Sequence, residues 1–141
     1  MEIRRFELKD LDEIFDVLNQ LYTGKLKYEK FNEIYKLKLN DPYSYYIVAI
    51  ENNKIVGVLT AELQVKLHRE NMQCFVEDLV VDKEYRNRGI GKALLQNAID
   101  YAKSKNCDVV ELTTYLNNEK AIKFYEANDF IKHSYKFKRY L

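Results

Sequence analysis

The run Glu77-Asp78-Leu79-Val80-Val81-Asp82-Lys83-Glu84-Tyr85-Arg86-Asn87-Arg88-Gly89-Ile90-Gly91-Lys92-Ala93-Leu94-Leu95 passes from strand to helix through a short glycine-bearing turn. Upstream, Gln73 to Val81 reads as a strand, apolar except where Glu77 and Asp78 interrupt it. Downstream, Ile90, Ala93, Leu94, Asn97, Ala98 and Tyr101 recur at helical spacing, with Lys92, Gln96, Asp100 and Lys103 on the opposite side. A strand that feeds a helix through a tight turn belongs to a layered α/β architecture.

Working outward toward the N-terminus, Lys54 to Lys66 and Tyr45 to Ile50 read as two more strands, joined by the hairpin turn Asn52-Asn53. Before them come two helices. One opens at Asp10 with Glu13 as a capping box and carries Leu11, Ile14, Phe15 and Leu18 inward. The other covers Tyr28 to Leu39, uses Phe31, Ile34 and Tyr35, and stops at Asn40-Asp41-Pro42. Met1 to Phe6 forms a first strand. Toward the C-terminus, Val109 to Tyr115 reads as a strand, Asn118 to Asn128 as a short helix, and Ile131 to Tyr140 alternates like a final strand. The expected fold is α/β with an α+β character: a mixed, largely antiparallel central sheet flanked by helices.

The 141 residues suit a single domain, 1–141, with one core. Charged residues make up 32% and sum to +1, so no strong general attraction to nucleic acid or anionic membrane is expected. No apolar run approaches a membrane span. Cys74 and Cys107 have no metal-ligand spacing, no metal is expected, and the cysteine usage fits a reducing, cytoplasmic setting.

The helix near Ile90 lacks an obvious side-chain cap, with only Asn87 nearby. Gly89 and Gly91 leave the first backbone N–H groups approachable, and Arg86, Arg88 and Lys92 add positive charge. Free donors and the helix dipole together favour an anion, most naturally a phosphate or pyrophosphate. Two nucleotide motifs fail to match: Lys92 is followed by Ala93 rather than Ser or Thr, and Leu94 stands where a third glycine would be. On these residues alone the turn also fits a purely structural role in strand-to-helix packing.

The segment Glu77 to Leu95 resembles the acetyl-CoA-binding motif of the GNAT superfamily of N-acetyltransferases. A second block, Asn118-Glu119-Lys120-Ala121-Ile122-Lys123-Phe124-Tyr125-Glu126-Ala127-Asn128-Asp129-Phe130, resembles that superfamily's Asn-x-x-Ala…Tyr…Gly-Phe element. The resemblance implies acetyl-CoA as cosubstrate. Its pyrophosphate would lie on the backbone from Asn87 to Lys92, with Arg86 beside it. Its pantetheine arm would lie along Leu79, Val80 and Val81, where that strand splays from the one beginning at Val109. It further implies that Asn118 contacts the cofactor arm, that the small Ala121 permits close approach, and that Tyr125 protonates the departing thiolate. A core tyrosine beside Phe124 is the structural alternative for Tyr125.

An amine must lose a proton before it can attack a thioester. Glu77 and Asp78 interrupt an apolar strand, where an unpaired charge is costly. Alternation sends them to opposite faces and places Glu77 with Leu79 and Val81, which makes Glu77 the first candidate base. A cap or a lysine partner would be the structural role of either carboxylate. The glycine of the second block is Asp129 here, a residue that tolerates left-handed backbone. His68, His133 and Cys107 lack the partners that catalysis needs. Tyr22, Lys25, Lys27 and Tyr28, between the first two helices, border the acceptor in the superfamily or form a solvated loop.

The function so indicated is acetyl transfer to a primary amine in a ternary complex, with a small-molecule acceptor foremost. Amino sugar phosphates, polyamines, aminoglycosides and protein amines are the candidates. A non-catalytic acyl-CoA-binding module is the alternative. The short stretch after Phe130 leaves a sheet edge exposed, so a homodimer is also an expectation.

Overall fold

Four strands lie side by side in chain order, each antiparallel to the last: β1 (Glu2–Arg5), β2 (Ser44–Glu51), β3 (Lys54–Gln64) and β4 (Gln73–Val81). β5 (Val110–Leu112) completes a five-stranded mixed sheet of order β1-β2-β3-β4-β5. The computed structural model describes residues 1–141 and divides into two compact units, Met1–Glu111 and Leu112–Leu141, described in turn.

In the first unit, the β2–β3 hairpin closes through Asn52 and Asn53, both left-handed (φ 50° and 61°), as a two-residue turn matched to strand twist demands. α1 (Leu11–Leu21) and α2 (Tyr28–Leu39) cover one face of the sheet. Leu11, Ile14, Val17, Leu18 and Tyr35 pack there against Val48, Ile55, Val58 and Val80. α3 (Ile90–Ser104) covers the other face. Tyr45, one residue out of phase with Tyr46, stacks on Tyr101 at 3.6 Å and donates to Asn97 Oδ1 at 2.6 Å. The start of α3 sits tightly on the sheet: a Cβ added at Gly57 would stand 2.9 Å from Leu94 Cδ1 and 3.0 Å from Ile90 Cγ2. No helix is long and apolar enough to cross a membrane.

The start of α1 differs from the expected Asp10–Glu13 box. A 3-10 turn, Leu8–Asp10, precedes the helix, and Asp10 already has helical backbone (φ −84°, ψ −6°). Its carboxylate turns back instead. It accepts the Glu7 backbone N–H at 2.8 Å and both arms of the Arg4 guanidinium at 2.7 and 2.9 Å. Burial opposes ionisation of Asp10, but these bonds outweigh it and hold the carboxyl below its ordinary range. Glu13 is then free to accept the Ile55 N–H at 3.0 Å, tying α1 to the start of β3. The boundaries of α2 are those expected, but Ile34 points outward and is 45% exposed. Phe31 and Tyr35 take the inward positions, in ring contact with each other.

In the second unit, α4 spans Glu119–Glu126. It is shorter than expected because Asn118 lies outside the helix as its cap, and Asp129 turns left-handed (φ 66°) beyond its end. Residues 131–141 form neither helix nor strand, contrary to the alternation of their side chains. Period alone does not make a strand; it also needs backbone partners, and this segment makes no ladder.

Candidate active site

β3 and β4 pair in simple register from Gly57–Val81 to Thr60–Asp78, and again from Ala61–Val76 onward. Glu77 has no partner. It is the extra residue of a β-bulge, and the bulge cancels the strict alternation expected of Glu77 and Asp78. The charges acting on Glu77 are those of Glu62, Asp78 and Lys38, and the bulge removes the alternation that put it with Leu79 and Val81.

Asp78 is tied down. It accepts from Thr60 Oγ1 at 2.7 Å and from the Tyr22 hydroxyl, while its own N–H donates to Thr60 Oγ1 at 3.1 Å. Glu77 makes no hydrogen bond or ion pair, and its residue surface is open to solvent. Its surroundings are nonetheless crowded: lost hydration first, then the charges of Glu62 and Asp78, raise its pKa above the ordinary glutamate value, with Lys38 opposing. A carboxylate that is unbonded, reachable and made more basic is suited to accept a proton.

Beside it lies a network that the sequence reading missed. Glu62 accepts from Lys38 Nζ at 2.9 Å, Tyr46 Oη at 2.6 Å and Ser44 Oγ at 3.1 Å. Glu62 interrupts the apolar run Leu59 to Leu63 much as Glu77 interrupts β4, so the same test would have found it.

Beyond Val81, Asp82 is buried. It accepts from the Glu84 N–H at 3.0 Å and Gln20 Nε2 at 3.3 Å, with Lys54 Nζ at 3.6 Å. Against the effect of burial, these partners hold its pKa low. They anchor the 3-10 turn Lys83–Tyr85, from which the glycine turn departs. Arg86 Nε donates to Val81 O at 3.1 Å, and Arg88 Nη2 donates to Glu84 O at 3.2 Å with its guanidinium over the Tyr85 ring. Lys92 is exposed on the first turn of α3.

Asn87 (φ 61°) and Gly89 (φ 80°) are both left-handed, so the backbone coils back on itself before the helix. Gly89 occupies the cap position without any side-chain bond, and a Cβ built there would meet nothing within 4 Å. No backbone N–H from Asn87 to Lys92 is given to a protein acceptor. This is a concave row of donors at the positive end of a fifteen-residue helix, braced from behind by two arginines. It fits a pyrophosphate, which needs several donors and close backbone approach.

In the second unit, Asn118 Oδ1 accepts the Ala121 N–H at 3.2 Å. The cap uses the side-chain oxygen and leaves the Asn118 amide nitrogen without a bond. Tyr125 packs edge-on to Phe124 and Phe130, at 5.3 and 5.8 Å, and burial raises its pKa. Its hydroxyl makes no hydrogen bond and is not among the buried unpaired atoms, so solvent reaches it.

Known proteins resemble this chain across its length. Aminoalkylphosphonate N-acetyltransferase of Salmonella typhimurium is 27% identical over 140 residues, covering 99% of this chain and 91% of that protein. Among solved structures, a Trypanosoma brucei acetyltransferase matches with a TM-score of 0.85 at 28% identity, over 99% of each chain. Glucosamine-6-phosphate N-acetyltransferase from Arabidopsis thaliana matches with a TM-score of 0.84 at 26% identity, over 99% of this chain and 97% of that one. The profile of the acetyltransferase (GNAT) family matches residues 11–130, which takes in the bulge of β4, the donor row of α3 and Tyr125. The chain therefore belongs to the GNAT family of acetyltransferases.

Proposed function

We propose that this protein transfers the acetyl group of acetyl-CoA to the primary amine of a small molecule, by direct attack in a ternary complex. The observation that carries the reading is the unpaired row of backbone donors from Asn87 to Lys92. It suits the pyrophosphate of CoA, and the family uses acetyl-CoA. In this reading Leu79, Val80 and Val81 line the path of the pantetheine arm, Arg86 and Arg88 hold the turn in shape, and Lys92 adds charge to the anion site. The Asn118 amide nitrogen bonds the arm, and Ala121 leaves room for it. The family profile runs through both units, which supports treating residues 1–141 as one acetyltransferase domain.

Acetyl-CoA supplies an acyl group activated as a thioester. The amine nitrogen attacks the carbonyl carbon, the C–S bond breaks, and two protons must move. Glu77 takes the proton that the amine gives up, directly or through a water. Its raised pKa makes it a better base than an ordinary glutamate toward an ammonium whose own pKa is about 10. Tyr125 donates a proton to the departing thiolate. Burial raises the pKa of its phenol, which favours the protonated form that donates.

The Salmonella and Arabidopsis relatives are named for small phosphonate- or phosphate-bearing amines, which supports an acceptor of that size class. The test is thiol release from acetyl-CoA with aminoalkylphosphonates, amino sugar phosphates, polyamines, aminoglycosides and peptides as acceptors. Turnover with a small amine is expected. CoA binding without turnover across the panel would instead make the chain an acyl-CoA-binding module.

A further inference from the structure

β4 carries both ends of the proposed reaction. The bulge at Glu77 lies on one side of residues 79–81, and Asp82 and Lys83, from which the glycine turn departs, lie on the other. Along β3 this stretch is paired, Leu79 with Leu59 and Val81 with Gly57. A bulge interrupts the ladder and lets its strand bend, so pairing with β3 does not by itself hold the bulge at a set distance from the turn.

The last turn of α1 bridges the same stretch. Gln20 uses both ends of its amide: Oε1 accepts the Lys83 N–H at 3.2 Å, and Nε2 donates to Asp82 Oδ2 at 3.3 Å. Just beyond, the Tyr22 hydroxyl donates to Asp78 Oδ1, while Asp78 Oδ2 accepts from Thr60. The chain that presents Tyr22 is itself closed. Thr23 and Gly24 are left-handed (φ 53° and 75°), the Gly24 N–H donates to Asn19 O at 3.0 Å, and the Leu26 N–H donates to Asn19 Oδ1 at 3.1 Å. The bonds from Gln20 and Tyr22 to β4 lie at or near the surface, where water is a ready substitute and each adds little to stability. What sets them apart is where they attach.

We propose that Gln20 and Tyr22 are positioning residues that strap the end of α1 across β4 and hold Glu77 at a fixed distance from the cofactor turn. The inference rests on the transfer reaction proposed above, in which Glu77 takes the amine proton and the donor row holds acetyl-CoA. Each strap residue acts through a neighbour. Tyr22 works through Asp78, adjacent to Glu77, and Gln20 through Asp82 and Lys83, at the foot of the glycine turn. A displacement of about 1 Å between reacting groups costs up to about a hundredfold in rate, so a weak bond at such a place bears on turnover. A strap also works only with both ends tied. Releasing either end forfeits the constraint, and releasing the second removes nothing more.

Tyr22→Phe and Gln20→Leu, alone and together in the full chain, provide the test, with acetyl-CoA and the fastest small amine of the panel as probes. Each single variant is expected to lower kcat by about tenfold, and the double variant by about tenfold as well, not about a hundredfold. CoA affinity by calorimetry and the denaturation midpoint should stay near the parent values, because Asp82 keeps the Glu84 N–H and Asp78 keeps Thr60. Parent-like kcat in either single variant would overturn the strap. So would losses that multiply in the double variant, or CoA affinity that falls in step with kcat. Absence of turnover by the parent with every amine of the panel would instead overturn the transfer reaction, and the strap with it.

Discussion

The start of α1 and the corner from β4 to α3 use the same materials for opposite ends. At α1 the polar groups find partners: Asp10 takes Arg4 and the Glu7 N–H, and Glu13 takes the Ile55 N–H. At the β4–α3 corner the donors from Asn87 to Lys92 and the carboxylate of Glu77 are left without protein partners. Asp10 is accordingly held below the ordinary carboxylate range and Glu77 above it. Satisfied groups hold a fold together, whereas unsatisfied ones are available to a ligand. The rest of the corner is anchored through Asp82 and Asp78, so the groups left open sit on a rigid base.

That contrast can be broken most forcefully at its satisfied end. Asp10→Ala should lower unfolding free energy by about 3 kcal/mol, because the Arg4 guanidinium and the Glu7 N–H lose their acceptor. Turnover at a temperature where the variant is folded should match the parent. Denaturant titration alongside initial rates checks both halves, and a loss of turnover in the folded variant would erase the division of labour.

At the unsatisfied end, Glu77→Gln should leave the denaturation midpoint near that of the parent and cut turnover by about 10²-fold. The parent's pH–rate profile should fall on the acid side through an apparent pKa above the ordinary glutamate value, and that limb should vanish in the variant. An unchanged limb would assign the proton to another base.

Gly89→Val probes the donor row. The added side chain meets no protein atom, yet its backbone must stay left-handed, so a stability loss of about 1–2 kcal/mol is expected. CoA affinity, measured calorimetrically, should weaken by about tenfold or more as the ligand loses backbone approach. Unaltered affinity would move the pyrophosphate elsewhere. Tyr125→Phe should reduce turnover by about tenfold while leaving acetyl-CoA affinity unchanged.

The smallest effect is a pH one. Asp10 and Asp82 have folded-state pKa values below their unfolded ones, so they stabilise the protein above the ordinary aspartate value. That contribution is lost as pH falls through the lowered values. Glu77 runs the other way: it opposes folding slightly at neutral pH, and the opposition disappears on protonation. The acid branch of the stability curve should therefore be shallower in Asp82→Asn and nearly unchanged in Glu77→Gln.

Much of this was legible in the residues. The β2–β3 hairpin followed from Asn52-Asn53, the ends of α2 from Tyr28 and Pro42, and the glycine turn from an apolar strand giving way to helical spacing. These are local matters, settled by turn chemistry and by the period of neighbouring side chains. The left-handed turn at Asp129 was legible for the same reason.

What depended on distant partners was not. Asp10 entered a capping box with Glu7 rather than with Glu13, its carboxylate also held by both arms of Arg4 on the neighbouring strand. The alternating residues 131–141 did not become a strand, since a ladder requires a second backbone.

The run from Glu77 to Leu95 shows the division most plainly. Its sequence by itself determined that a strand enters a glycine turn and that the next helix starts without a side-chain cap, leaving its first backbone donors open. Only the tertiary structure decided where Glu77 points. A β-bulge arises from the register of two strands, and neither strand's own residues record the slip between Thr60 and Ala61 that leaves Glu77 unpaired within the influence of Glu62 and Asp78.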